Sequence, residues 1–392
     1  MKNLQEKLQT IRTEAPNRKI RIMIIGLGSV GNYLLDYLMS SGNENIEITV
    51  VGRNMEKMTS DVNIVRVASS IRGQNRTNVT VVPDIDLENV DSITKCLMDH
   101  RPDMIVNTSR AYPGLKYGSI SWGSVRAYGI WAPLSIRFVK NIMTAYENAE
   151  SNAVVINTSY SDAVIPWLRS AGMSYPDLGS GNVNHLIPRM RFAISEELGI
   201  RDHWNIDLTY ATSHFHDVVI SKEGQAEGVP QLFTASYKGK RLDIDQEKIF
   251  QRCRISMPTD AKRNMMNASS NYEIIMGMLS AVIEKKKVKI HSPGAFGEIG
   301  GYPVMIDGTG PVMKACIDGS VFSLEQMRES NRESIYLDGI EDVKDGVLTY
   351  TDELISKVRD AFGVSIPKCV PFSDIERTAD ILIERIIEKV RP

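Results

Sequence analysis

Short apolar, β-branched runs recur through the first 160 residues, at Ile20–Ile25, Ile46–Val51, Val79–Val82, Met104–Val106 and Ala153–Ile156. Stretches with helical spacing, such as Tyr33–Met39 and Ile93–Met98, lie between most of them. Strands apolar on both faces, alternating with helices, predict a doubly wound parallel sheet covered on both sides. Near Ser161 the pattern changes. Helical stretches (Pro188–Leu198, Tyr272–Glu284) there mix with strand-like ones (Ile206–Tyr210, Gln231–Tyr237), and Asp374–Val390 reads as one long amphipathic helix. The organisation expected is a polar N-terminal arm over residues 1–19, an α/β domain over 20–160 and an α+β domain over 161–392. The arm reads as a short amphipathic helix, with packing on a partner subunit left open.

The first strand runs directly into Gly26-Leu27-Gly28-Ser29-Val30-Gly31 and a helical pattern from Asn32. A GxGxxG run in this context predicts a dinucleotide-binding Rossmann domain. The first glycine permits a tight turn and the second lets the backbone approach a pyrophosphate. The third lets helix and strand pack closely, and the helix N-terminus faces the anion. The second strand ends Val51-Gly52-Arg53-Asn54, with no carboxylate before Glu56. An acid there would hold the ribose hydroxyls of NAD(H) and repel a 2′-phosphate, whereas Arg53 binds that phosphate by a charge-assisted bond. NADP(H) is therefore the preferred cofactor on this reading, with NAD(H) the alternative. Ser29, Val30, Asn54 and Thr108 complete the expected cofactor contacts.

Composition narrows the partners. The 392 residues are 42% hydrophobic and 24% charged with a formal net charge of −2, and no basic block favours nucleic acid or an anionic membrane. The polar first 19 residues lack the apolar core of a secretory signal, and no later stretch is long and apolar enough to span a bilayer. Four dispersed cysteines, Cys96, Cys253, Cys316 and Cys369, show no CxxC spacing. They argue against a disulfide framework or zinc site and for a reducing, cytoplasmic compartment.

In the second half the order of motifs resembles the lactate/malate dehydrogenase superfamily. The segments that carry the likeness are Ile156-Asn157-Thr158, Gly179-Ser180-Gly181 ahead of Arg189-Met190-Arg191, Glu197-Leu198-Gly199-Ile200 and Ser213-His214-Phe215-His216-Asp217. They are similar to that family's VxNP turn, its GSG segment and Arg-bearing helix, and its GEHGD motif. Asn107–Gly114 likewise resembles the loop after the fourth strand, Asn267–Lys287 the specificity helix, and Gly300–Val304 a late strand. The resemblance implies an α+β substrate domain of lactate/malate dehydrogenase type and a homodimer. It implies hydride transfer between a nicotinamide and a small carboxylated 2-oxo or 2-hydroxy substrate. By position, Asn157 would touch the nicotinamide ribose or the substrate oxygen, and Arg189 would grip the carboxylate. His214 or His216 would act as acid/base, and Arg110 would sit in the loop that closes on substrate.

The departures are specific. Three residues before Arg189 the family has a carboxylate that orients its histidine; here that position is Leu186, with Asn184 and His185 nearby. Laid on GEHGD without a gap, Phe215 takes the histidine position. The segment Lys116–Trp131 is longer and richer in aromatics and glycine than the family's lid, which suggests a lid over a larger or less polar substrate. Three other functions stay open: an opine- or imine-type reductase joining a 2-oxo acid to an amine, a nicotinamide- and metal-dependent glycoside hydrolase, and a dinucleotide sensor without chemistry. Metal would draw on His185, His214 and His216, but no cysteine lies near Gly179–His185, so no metal ligand is assigned.

Overall fold

The computed structural model describes residues 2–389 apart from Thr259. Met1, at the start of the expected arm, and Val390, at the end of the expected C-terminal helix, lie outside them.

Six parallel strands form the central sheet: β1 (Ile20–Ile25), β2 (Ile46–Val51), β3 (Val79–Val82), β4 (Met104–Asn107), β5 (Val154–Asn157) and β6 (Leu178–Gly179). Their order is β3-β2-β1-β4-β5-β6, with the reversal between β1 and β4 that defines the Rossmann fold. The five expected strands are all present, four as largely buried apolar runs and β3, at the edge of the sheet, as a half-exposed valine-rich one. β6 comes from beyond Ser161, so the sheet extends past the expected domain boundary. Its two residues pair with Ile156 and Asn157, too short a run to show periodicity.

Each face of the sheet has its own apolar core. One holds Ile22, Ile24, Val50, Val106 and Ile156 against the helices Ser29–Ser40 and Asn264–Ile283. The N-terminal helix Leu4–Glu14 joins this core through Leu4, Leu8 and Ile11, so the arm packs on its own chain. Lys7 on that helix is fully buried, at 2.7 Å from Asp177, beside the ring of Tyr146. The other core sets Ile25, Ile105 and Val155 against the helices Val90–His100, Ala132–Asn148 and Ser161–Ser170, and the C-terminal residues 335–387 pack there too. A third core joins the helices Leu186–Leu198 and His214–Glu223 to an antiparallel sheet of Ile206–Ala211, Leu232–Tyr237 and Lys240–Arg241. Two more three-stranded antiparallel sheets complete the second half. Among the described residues no helix is long and apolar enough to cross a membrane.

Two elements differ from expectation. The long C-terminal helix is interrupted: an α-helix over Ile375–Leu382 passes into a wide π-turn over Ile383–Ile387, which buries the adjacent Ile386 and Ile387 together. Lys116–Trp131 is not an open lid. Tyr117, Ile120, Val125, Ile130 and Trp131 are buried in the core, and Arg126 pairs with Glu223 and Glu227 while its guanidinium covers Trp122. Its apolar side chains are consumed by packing rather than offered to a ligand.

Candidate functional site

The turn after β1 has the shape that the three glycines require. Gly26 has φ +92°, and a Cβ there would lie 2.9 Å from the Ser109 backbone. A Cβ on Gly31 would stand 2.3 Å from the Gly26 carbonyl, so only glycine lets the helix close on the turn. Around Gly28 nothing lies within 4 Å, which leaves open space at the helix N-terminus, and no side chain caps it. A turn fixed on two sides and open at its middle glycine fits a pyrophosphate. Thr108 serves the turn itself, its hydroxyl donating to the Gly26 carbonyl at 2.5 Å. Ser29 accepts from Asn264 at 2.5 Å, and Val30 is buried. Asn54 caps the next helix by accepting from the Lys57 N–H, leaving Arg53 exposed beside it. Arg53 makes no ion pair among the described residues.

The second part of the site lies at the same edge of the sheet. Just past β5, Tyr160 adopts the left-handed conformation (φ +43°), an uncommon state for a residue with a bulky side chain. Its hydroxyl donates to Asp338 Oδ2 at 2.7 Å. The same oxygen lies 2.9 Å from His214 Nδ1, while Asp338 Oδ1 accepts the Tyr128 N–H at 2.7 Å. Asp338 is fully buried. The Tyr128 and Tyr160 rings meet the imidazole edge-on, with centroids at 4.7 and 5.1 Å. Burial lowers the His214 pKa, but the charge and hydrogen bond of Asp338 outweigh it, followed by Asp162 and Asp217, and the net shift is upward. Nε2 has no partner among the described residues. The outcome is an imidazole oriented by a carboxylate, with one nitrogen held and the other free.

Asp338 is thus the orienting carboxylate for which the sequence offered no position. It comes from the end of the helix Leu324–Leu337, 124 residues after His214. Asn184 does not take that role: its amide donates to Ser270 and Glu273.

The remaining candidates divide. His216 is fully buried with both ring nitrogens engaged, Nδ1 at 2.7 Å from the Ser334 hydroxyl and Nε2 at 2.8 Å from the Glu227 carbonyl. Asn157 is also fully buried; its carbonyl accepts from Asn107, and its amide donates to Ser159 and Ser161. It ties strand ends together and has no group left for a ribose. Arg189 is only 4% exposed and donates to the Cys253 carbonyl at 2.9 Å, so its guanidinium is partly spent inside the protein. Arg110 is exposed, and its guanidinium lies over Gly114.

Other charged groups gather here, and of these Asp162 and Arg263 carried no sequence signal. Asp162, in the first turn after Tyr160, is fully buried, and Asp217 nearly so. Each has one oxygen without a hydrogen-bond partner among the described residues. Burial raises both carboxyls to about 6, against the charge of His214. His185 lies 3.9 Å from Asp217, and burial with the Arg189 and Arg263 charges drives its pKa down to about 3. Arg263, which precedes the helix Asn264–Ile283, acts electrostatically on Tyr128, His185, Arg189 and Asp217, and has no ion-pair partner among the described residues.

No family model matches this sequence, and no curated protein matches it. Solved structures do. The malate dehydrogenase of Aeropyrum pernix superposes with a TM-score of 0.53 at 13% identity, over 81% of this chain and 96% of that one. A Cryptosporidium parvum lactate dehydrogenase, complexed with lactic acid and nicotinamide adenine dinucleotide, gives 0.52 at 16% identity, over 82% and 98%. The malate dehydrogenase of the same organism gives 0.51 at 13% identity. This chain therefore has the Rossmann-plus-substrate-domain fold of the lactate and malate dehydrogenases, as its motif order implied.

Proposed function

We propose that this chain is a nicotinamide-dependent dehydrogenase that interconverts 2-oxo and 2-hydroxy acids, with NADP(H) as its preferred cofactor. The observation that carries the reading is the His214–Asp338 pair at the carboxyl edge of a Rossmann sheet, where such sheets bind their ligands. The structural neighbours, one of them described with lactic acid and the dinucleotide, support the same substrate class.

The cofactor would lie on the Gly26–Gly31 turn, with the backbone of Ser29 and Val30 toward its pyrophosphate and Arg53 toward a 2′-phosphate. Bound there, the nicotinamide supplies or accepts the hydride. The protein handles the proton. Asp338 accepts from Nδ1–H, fixing the tautomer and stabilising the imidazolium. Nε2 then donates to the carbonyl oxygen in reduction and takes the proton back in oxidation. The Tyr128 and Tyr160 rings hold the imidazole in plane and keep water from its flanks. Arg263, which has no ion-pair partner among the described residues, is our choice of carboxylate anchor, beside Arg189, whose guanidinium is partly spent on the Cys253 carbonyl; Arg110 remains the candidate from the loop after β4. His216 and Asn157 are support for this arrangement.

One observation favours a second reading, reductive joining of a 2-oxo acid to an amine. The unpartnered oxygens of Asp162 and Asp217 are acceptors that an ammonium group would satisfy, close enough to His214 to shift its titration. Four free cysteines support a cytoplasmic protein, and a homodimer is the assembly we infer from the fold. The deciding experiment follows NADPH and NADH oxidation spectrophotometrically against a panel of 2-oxo acids, with and without amines. Turnover without amine supports the first reading, strict amine dependence the second, and tight NADPH binding with no turnover contradicts both.

A further inference from the structure

One well-formed cavity lies away from His214. It is a cleft of about 260 Å³ between the far end of the helix Ser161–Ser170 and the helix Leu324–Leu337, floored by Glu298 and Tyr302. Three guanidinium groups line it: Arg169, Arg328 and Arg332. Glu298, itself only 14% exposed, accepts from Arg328 through both oxygens at 2.7 and 2.8 Å and pairs with Arg169 at 2.9 Å. One carboxylate thus serves two of the arginines, and Arg332 has no ion-pair partner among the described residues. Three cations around one anion leave an excess of two positive charges in a recess. Arg328 and Arg332 are spaced i, i+4 and face the same side of their helix.

We infer that this cleft binds a small multivalent oxyanion, a di- or tricarboxylate or a phosphate. Forked arginine donors match carboxylate and phosphate oxygens in pairs, and unpaired positive charge in a concavity is satisfied best by an anion that reaches more than one fork. The volume sets the size. It falls just short of the ~300–1,000 Å³ that holds drug-sized ligands, so the occupant is a metabolite rather than a nucleotide. Position gives the cleft consequence. On its other side the same helix places Asn331, whose carbonyl accepts the Ser213 hydroxyl, and Ser334, which meets His216; it ends at Asp338. The loop of Glu298 also reaches the site, since Gly300 N–H donates to the Asp162 carbonyl at 3.1 Å. An anion drawing on Arg328 and Arg332 therefore bears on the helix that holds the His214 partner.

Citrate and inorganic phosphate are the probes, titrated calorimetrically into the full chain at constant ionic strength, beside Arg332→Gln. Arg332 has no internal partner to lose, so this variant keeps its fold, and an unchanged melting temperature without ligand verifies that. The inference expects saturable binding of at least one probe, weakened about tenfold or more by Arg332→Gln. Equal binding by both proteins, or heat that only tracks ionic strength, would overturn the site. The His214 ring signal, followed by NMR through a pH titration, tests the coupling: a midpoint that moves on saturation supports it, and binding with an unmoved midpoint overturns the coupling alone.

Discussion

At the scale of single residues the account rests on charge placed beside His214. Its folded pKa is raised, so its contribution to stability is complete below the ordinary histidine value of about 6.5 and is lost as pH rises through the folded value. Replacing Asp338 by Asn keeps the size of the partner and removes its charge. The His214 midpoint, read by NMR, should then fall, since burial would act without the opposing carboxylate. An unmoved midpoint would mean that the 2.9 Å contact does not set the titration. Asp162 and Asp217 act in the same direction over a lower pH window. Their carboxyls are raised to about 6 in the fold, so the native state holds protons that the unfolded chain releases near pH ~4. Stability should decline as pH climbs between those values. Denaturant unfolding across that window should show the decline, and Asp162→Asn should flatten it.

Element by element, much of the fold was legible. The strands read from the sequence are mostly apolar, β-branched runs, and where a parallel strand is buried on both faces little other choice of residue remains. The glycine turn was legible for the same reason: each glycine answers a measurable crowding or opening. Gly31→Ala would push a Cβ to 2.3 Å from the Gly26 carbonyl, so dinucleotide binding measured by fluorescence titration should be lost. Arg53→Ala should weaken NADPH by roughly 10–100-fold and leave NADH nearly unchanged, the range expected for one charge-assisted contact. Equal loss for both cofactors would place Arg53 away from the 2′-phosphate. The site itself was half legible. His214 follows a strand in a recognisable motif, but Asp338 follows a helix 124 residues on, and no local period links them. Arg263 was hidden likewise, because it precedes the helix and the likeness to the family's specificity helix begins only at Asn267. Where Asn157 and His216 were concerned, chemistry was read from their position in motifs that resemble the family's, and only packing reveals that their polar atoms are already engaged. The Lys116–Trp131 segment misled by composition, because aromatic side chains serve a core as readily as a lid.

On the scale of the whole molecule, both ends of the chain return to the Rossmann sheet. The N-terminal helix is pinned by Lys7 and Asp177, a buried pair whose rupture leaves a charge uncompensated. Lys7→Met should cost about 3–5 kcal/mol in a denaturant titration, far more than an exposed ion pair. The C-terminal third supplies Asp338, so the site is complete only when segments from both sides of the sheet have docked. The most direct test of the central claim is NADPH oxidation with the substrate panel by the native chain, His214→Gln and Asp338→Asn. The account predicts turnover of a 2-oxo acid that falls about 10²–10⁴-fold in His214→Gln and, in Asp338→Asn, fades at a lower pH than in the native chain. Turnover that survives both substitutions unchanged would contradict it.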